Sequence, residues 1–467
     1  MATTPPRLGS ATPRGRDARR DRIRHVVIVG GGAAGTLAAV HLLRQADARH
    51  SITVVEPRET LGRGVAFGAP DPWHRLNVPA ITMSGLPDDL DHFRAWADVE
   101  AHAFPPRLAY GAYLGALLAQ SVAGSPASFD HVHSRVTRIL DQRHVDRASP
   151  RLNIHLADGR TLHADGVVVA TGNELPAPPP FLALLVAVAD PRVIVNPWAT
   201  GSLDGIGPGG RVGIIGTGHT AIDLAASLLR GRGVAEVIAV SRHGETPYAH
   251  EDPWRPRPPV PAFTAEEFAA FADPIAEARA RFRAHPLGWR QALDSVRPIN
   301  RELWLALDDA TRRRFVTGHR REWEIHRSRL APQVARDVAA WIEEGRLAVR
   351  AARIEAVSAT SDGLRVAADT GDVTVDQLLL ATGPSESSSA SPLLAAIVAD
   401  GLARPGSMDL GIDADPYRYR VIDAAGRIDR PLFALGPIIR GAVWETIAVP
   451  EIRAQAVTIA TGILAGD

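Results

Sequence analysis

The chain contains no cysteine, and every one of its 52 basic residues is an arginine, so lysine is missing as well. Without thiols there are no disulfides, thiolate zinc sites, iron–sulfur clusters or dithiol relays. Without lysine there is no Schiff base, no lysine-held pyridoxal phosphate and no lysine-dependent phosphate loop. Net charge is lacking too, because 52 acidic residues offset the arginines. That balance shows neither a nucleic-acid footprint nor a polybasic membrane anchor, so neither partner is expected. The apolar stretch His25 to Leu43 is broken by three consecutive glycines and reads as strand, turn and helix rather than as a membrane span. Residues 1–24 mix Arg, Pro, Gly and Thr without a secretory core and read as a disordered tail, which makes a cytoplasmic location the expectation. The 17 histidines are scattered with no HExxH spacing, and no GxSxG elbow occurs, so neither a metal nor a serine nucleophile is expected.

What is present is a repeated pattern. At 467 residues and 45% hydrophobic content the chain can form two or three domains with substantial cores. HVVIV, a short β-branched run, leads into Gly30-Gly31-Gly32-Ala33-Ala34-Gly35, then a helix-forming TLAAVHLLRQ, then SITVVE ending at Glu56. Each glycine of this turn has a reason: Gly30 for the tight bend, Gly32 for close approach to a pyrophosphate, and Gly35 for close helix–strand packing. The start of the helix, with Ala33 and Ala34, then faces the phosphates, and Glu56 is placed to bind ribose hydroxyls. A second unit begins at RVGIIG and carries Gly216-Thr217-Gly218-His219-Thr220-Ala221, with alanine in the third glycine's position. Its second strand ends in Ser241-Arg242-His243 instead of an acid, a choice suited to the 2′-phosphate of NADPH. Ala170-Thr171-Gly172 and Ala381-Thr382-Gly383 close the two units alike. The fold class expected is α/β, with two Rossmann-like dinucleotide-binding domains and a helical insertion.

These motifs, with Leu432-Phe433-Ala434-Leu435-Gly436, resemble the two-dinucleotide-binding flavoproteins over nearly all of residues 25–467. The stretches GRGVAFG, HRLNVPAITMS, FPPRLAYGAYL, WEIHRSRLAP and GAVWETIAVPEIRAQA are similar to a bacterial FAD/NAD(P)-binding family related to the group B flavin monooxygenases and the amino-acid N-hydroxylases. The resemblance implies FAD and NADPH as cofactors, with the NADPH domain (201–383, including an Arg- and Trp-rich helical insertion at 244–345) set between two parts of the FAD domain (25–200 and 384–467). It further implies that NADPH reduces FAD and that O2 then forms a C4a-(hydro)peroxyflavin that acts on a small-molecule substrate, N-hydroxylation of a small amine or amino acid being one such reaction.

On the same resemblance, Asn77 contacts flavin and nicotinamide as a non-titrating donor in catalysis, while Arg63, Gly64, Val65 and Val136 add cofactor contacts. Gly436, Gly441 and a helix beginning near Ala442 are expected to turn backbone N–H groups toward the flavin and favour its anionic reduced form. Pro437 departs from the family, where an Asp often binds the ribityl chain. Arg107, Tyr110 and Trp444 are candidate substrate contacts. Arg312, Arg313, Arg314, Arg320 and Arg321 carry guanidinium forks suited to an anionic substrate or the NADPH phosphates, but most of them read as a solvated helical face, with Trp289, Trp304 and Trp323 as core. The stretch SESSSASP after Gly383 reads as flexible. Two other functions stay open: a reductase handing electrons to a protein or quinone, and a cofactor-sensing protein without turnover.

Overall fold

The computed structural model describes residues 24–69, 71–142, 152–254 and 261–466. Of the N-terminal stretch read as a tail, all but Arg24 lies outside the described residues. The chain is an α/β protein built on two parallel sheets. Strands β1 (His25–Val29), β2 (Ser51–Val55) and β3 (Ser128–Val132) come first; the buried Val and Ile side chains of β1 and β2 suit strands covered on both faces, while β3, at the sheet edge, buries only Val132. An antiparallel meander follows, β4 (Val136–Asp141), β5 (Leu152–Leu156) and β6 (Thr161–Ala164), and β7 (Gly166–Val169) then returns beside β1.

The second sheet repeats this plan. β8 (Val193–Ile194), β9 (Arg211–Ile215), β10 (Glu236–Ser241) and β11 (Leu347–Ala351) precede a second meander, β12 (Ile354–Thr360), β13 (Gly363–Ala368) and β14 (Val373–Val375), after which β15 (Gln377–Leu380) returns beside β9. The last strand, β16 (Leu432–Ala434), belongs to the first sheet. The orders are β16-β7-β1-β2-β3 and β8-β15-β9-β10-β11, the same layout twice. Helices Ala33–Gln45, Arg107–Gly124 and Val449–Ala465 pack together on the first sheet around a core that includes Val27, Leu37, Leu114 and Ile459.

Between β10 and β11 the chain forms helices joined by short capped turns. Thr264 and Glu267 make a capping box, and Asp273 and Asp308 accept from the backbone N–H groups of Ala276 and Thr311. Their apolar side chains, with Phe263 and Trp304 at the centre, pack against Leu410 and Trp444 of the C-terminal segment.

Two local expectations are corrected. The stretch SESSSASP is ordered: Ser388 and Ser391 are buried, and Ser391 caps helix Pro392–Ala399. The last helix starts at Val449, not near Ala442. Pro450 sits in its first turn, where a missing N–H costs nothing, while residues before it turn Thr446 and Glu445 inward to partners.

Candidate cofactor and active site

Both glycine turns have the same geometry. Gly30 (φ 101°) and Gly216 (φ 117°) occupy backbone conformations that L side chains avoid. A Cβ on Gly30 would stand 2.6 Å from the Ala170 carbonyl oxygen, and one on Gly216 would stand 2.2 Å from that of Ala381. Each Ala-Thr-Gly strand end therefore presses on the first glycine of its own turn. Gly32 and Gly218 open their helices in extended conformation, and neither helix has a side-chain cap, so the first-turn N–H groups of Ala33, Ala34, His219 and Thr220 have no side chain reserved for them. Around Gly172, Gly218 and Gly383 a Cβ would meet nothing within 4 Å, which leaves open space on the side a phosphate would approach.

The third position differs between units for a packing reason. A Cβ on Gly35 would lie 1.8 Å from the Gly30 oxygen, whereas Ala221 sits buried in its place without distorting the second turn. Glu56 is buried at the end of β2. Its Oε2 accepts from the Gly31 N–H at 2.9 Å, and its Oε1 from Arg58, so this carboxylate fixes the turn.

Two buried polar atoms beside the first turn lack a protein partner, Thr171 Oγ1 and Arg63 Nε. Thr171 adjoins Gly30, and Arg63 precedes Gly64, whose Cα lies against Gly32. A negatively charged, multiply accepting ligand on this turn fits both orphans. A model described as FAD-NAD(P)-binding matches residues 27–174, which hold all of these groups. This segment is an FAD/NAD(P)-binding domain.

Across 95% of its length the chain shares its fold with solved amino-acid hydroxylases and monooxygenases. An ornithine hydroxylase from Pseudomonas aeruginosa, in its reduced form, is 16% identical with a TM-score of 0.62, covering 95% of this chain and 99% of its own. The ornithine N-hydroxylase from Kutzneria sp. 744, with reduced FAD, NADP+ and L-ornithine, is 17% identical with a TM-score of 0.62, covering 95% and 99%. An L-lysine 6-monooxygenase from Pseudomonas syringae is 18% identical with a TM-score of 0.62, covering 95% and 100%. At these identities the likeness is one of fold. Among curated proteins no sequence matches.

Beyond the FAD/NAD(P)-binding domain, the second turn is crossed by polar contacts from the insertion. Thr217 Oγ1 meets Ser241 Oγ at 2.9 Å and Arg321 Nη2 at 3.3 Å, while Arg242 stands exposed at the end of β10. His219 Nε2 donates to the Ser328 carbonyl at 2.9 Å, and burial, reinforced by Arg107, lowers its pKa. Thr382 is exposed beside Gly383. Val65 is exposed on the short helix Gly64–Gly68, and Val136 is buried at the start of β4.

Several expected contacts are used otherwise. Arg107 bonds Asp223 at 2.8 Å, and His74 contacts Ser227 at 2.8 Å, so these groups tie the two units together. Tyr110 is wholly buried among Phe67, Phe93 and Tyr113 and presents no surface to a substrate. The backbone N–H groups of Gly436, Ile439, Arg440, Gly441 and Ala442 already donate to protein acceptors, which removes them from the flavin role expected of this turn. Gly436 does reach the first unit: a Cβ on it would be 3.5 Å from the Ala34 Cβ.

What the sequence hid is the support for that approach. Gln455 Oε1 accepts from Gly436 N–H at 3.0 Å, Gln455 Nε2 donates to Thr446 Oγ1 at 2.7 Å, and Thr446 donates to the Gly436 carbonyl at 3.0 Å. Of the clustered arginines, Arg314 pairs with Asp273 and Arg312 lies over Trp304, but Arg320 joins Arg440 around Glu386 and Glu324, a network that burial opposes and the guanidiniums outweigh in holding Glu386 below its usual pKa. Arg313 is exposed. Trp323 Nε1 donates to Glu445 at 2.8 Å, and Trp444, 96% buried, stacks obliquely on Trp304 at 5.2 Å. Trp289 lies 5.4 Å from Tyr248.

Proposed function

We propose that the chain is an NADPH- and O2-using flavin monooxygenase, with FAD on the Gly30–Gly35 turn and NADPH on the Gly216–Ala221 turn. The observation that carries this reading is the pair of matched, uncapped glycine turns, the first flanked by the orphaned Thr171 and Arg63 atoms. On this reading Thr171 and Arg63 hold the FAD, Gly436 sets the C-terminal wall of its site, and Arg242 meets the NADPH 2′-phosphate. Bound FAD would accept hydride from NADPH and activate O2, one oxygen atom passing to substrate and the other leaving as water. Asn77 has its carbonyl held by His250 Nε2 at 2.8 Å. Its side-chain amide supplies a donor at the reacting centre whose charge does not change with pH. The names of the fold relatives, hydroxylases of ornithine and lysine, favour an amine nitrogen as the oxygen acceptor.

The test is anaerobic reduction of the flavin by NADPH followed by mixing with oxygen, together with NADPH oxidation and oxygen uptake screened over amines, amino acids and ketones. The reading expects flavin reduction and amine-dependent oxygen incorporation. Rapid electron transfer to a quinone or protein without incorporation makes the chain a reductase. A bound flavin that NADPH leaves oxidised makes it a sensor.

A further inference from the structure

The helical insertion, with Trp444 of the C-terminal segment, lines an open-mouthed cavity of about 520 Å³ to which neither glycine turn contributes a residue. That size lies within the roughly 300–1,000 Å³ range of pockets that take drug-sized molecules. Its walls are apolar and aromatic: Phe268, Phe282, Leu303, Trp304, Phe315 and Trp444 among them. Charge is scarce, confined to Arg279, Glu322 and Arg283 with His319 and His326 beside them. Arg279 pairs with Glu322 at 2.9 Å, and His319 lies 3.9 Å from the same carboxylate. Arg283 stands exposed at the edge. A zwitterionic amino acid entering here would lose the hydration of two charged groups and find no paired site for both. An aryl or long alkyl group would gain from the same wall.

The cavity also abuts the chain that reaches the first unit. Trp304 Nε1 donates to the Gly441 carbonyl at 3.1 Å, and Trp444 of the same C-terminal segment lines the cavity, eight residues after the Gly436 that a Cβ would bring within 3.5 Å of Ala34. Behind Trp444, Arg440 stacks on its ring at 4.0 Å and holds it in place. Two lining residues, Asn300 and Trp444, carry buried N–H groups with no protein acceptor, a shortage that a ligand heteroatom at the wall would relieve.

We infer that this cavity is the substrate chamber and takes a bulky, mainly apolar amine carrying an aryl or long alkyl group, in preference to an amino acid. The inference rests on the proposed function only for the amine; the apolar chamber stands on its own lining.

The test uses the purified, flavin-loaded full chain, titrated with 4-phenylbutylamine and separately with L-ornithine, and followed by calorimetry and by tryptophan fluorescence. Trp289, Trp304, Trp323 and Trp444 all line the cavity and report on its filling. The expected result is saturable binding of 4-phenylbutylamine, at least about tenfold tighter than L-ornithine, and a loss of about tenfold or more in both Ala278→Phe and Leu303→Trp, which fill the chamber. Should one variant fail to fold, the other and the wild-type comparison still decide. Flavin reduction by NADPH is recorded on the same samples. Intact reduction with no phenylbutylamine binding, with equal L-ornithine binding, or with unaffected filling variants overturns the chamber and leaves the monooxygenase reading standing. Binding that obeys these expectations in a protein whose flavin NADPH cannot reduce supports the chamber and overturns that reading.

Discussion

Adding one methyl group at Gly35 and one at Gly218 is expected to separate packing from phosphate contact. In Gly35→Ala the new Cβ starts 1.8 Å from the Gly30 oxygen and 3.3 Å from Ile28 Cγ2. Helix and turn must part by roughly 1.5 Å to restore van der Waals contact. The severe contact is with the Gly30 backbone, which no side-chain movement can relieve, and the overpacking penalty falls at the upper end of its usual span, about 3 kcal/mol. The same displacement pulls first-turn N–H groups from a bound phosphate. Loosening two charge-assisted bonds of about 1.5 kcal/mol each weakens FAD by roughly a hundredfold. In Gly218→Ala the Cβ meets nothing within 4 Å, at a φ of −79° that any residue adopts. Folding and flavin should therefore be untouched, while the methyl group occupies the space expected for the NADPH pyrophosphate. The assay is the flavin-to-protein absorbance ratio after gel filtration, the thermal midpoint, and the NADPH dependence of flavin reduction. A Gly35→Ala protein with full flavin and an unchanged midpoint, or a Gly218→Ala protein that loses flavin, would refute the assignment of the two turns.

Arg242→Ala should raise the NADPH concentration needed for half-maximal reduction by about tenfold and spare NADH, because one phosphate–guanidinium contact contributes about 1.5 to 3 kcal/mol; equal losses with both nucleotides count against NADPH. Removing Arg107 as Arg107→Met leaves the buried Asp223 carboxylate unpaired, for a loss of about 3 kcal/mol or more in denaturant unfolding, which the double variant Arg107→Met/Asp223→Leu should largely recover. Gln455→Leu strips the acceptor from the Gly436 N–H and should cost about 1 to 3 kcal/mol while lowering flavin affinity; unchanged flavin retention would show that this support is dispensable. Burial pushes His41 and His250 down to about 4 from an ordinary 6.5, with Arg329 adding to the effect at His250. Their folded values lie below the unfolded ones, so the unfolded chain takes up these protons first as pH falls. Stability is complete above about 6.5 and drains away toward about 4, by as much as roughly 3 kcal/mol per histidine. Urea midpoints between pH 7.5 and 4.5 measure this, and His250→Asn should flatten the fall.

Legibility in the sequence followed the range of the interactions. The parallel strands, the two glycine turns and the Ala-Thr-Gly strand ends are written in residues only a few places apart, and short-range sterics make them readable. The last helix starts later than the sequence suggests: Glu445 and Thr446 are engaged by Trp323 and the Gly436 carbonyl, far along the chain, and Pro450 sits in the first turn of the helix that follows. SESSSASP reads as a loose linker until Ser391 is seen capping a helix. Arg107 and Tyr110 stand in one motif, yet one crosses to Asp223 and the other fills the core. The arginines of the insertion gave no sign of their partners, because Arg320 finds Glu386 and Arg297 finds Glu451 far along the chain. The cavity was invisible for the same reason: its wall combines Phe263, Phe315 and Trp444, which no local pattern connects.

The placement of β16 bears on how the protein is made. Leu432–Ala434 completes the first sheet by pairing with β7, a strand separated from it in sequence by the entire second unit. During synthesis β7 therefore waits with an unpaired edge, a template for wrong pairing, until the second unit and Leu432–Ala434 have both been made. A ribosome stalled before Leu432 would hold a nascent chain whose second sheet has all its strands while the first, begun earlier, still lacks its outer one.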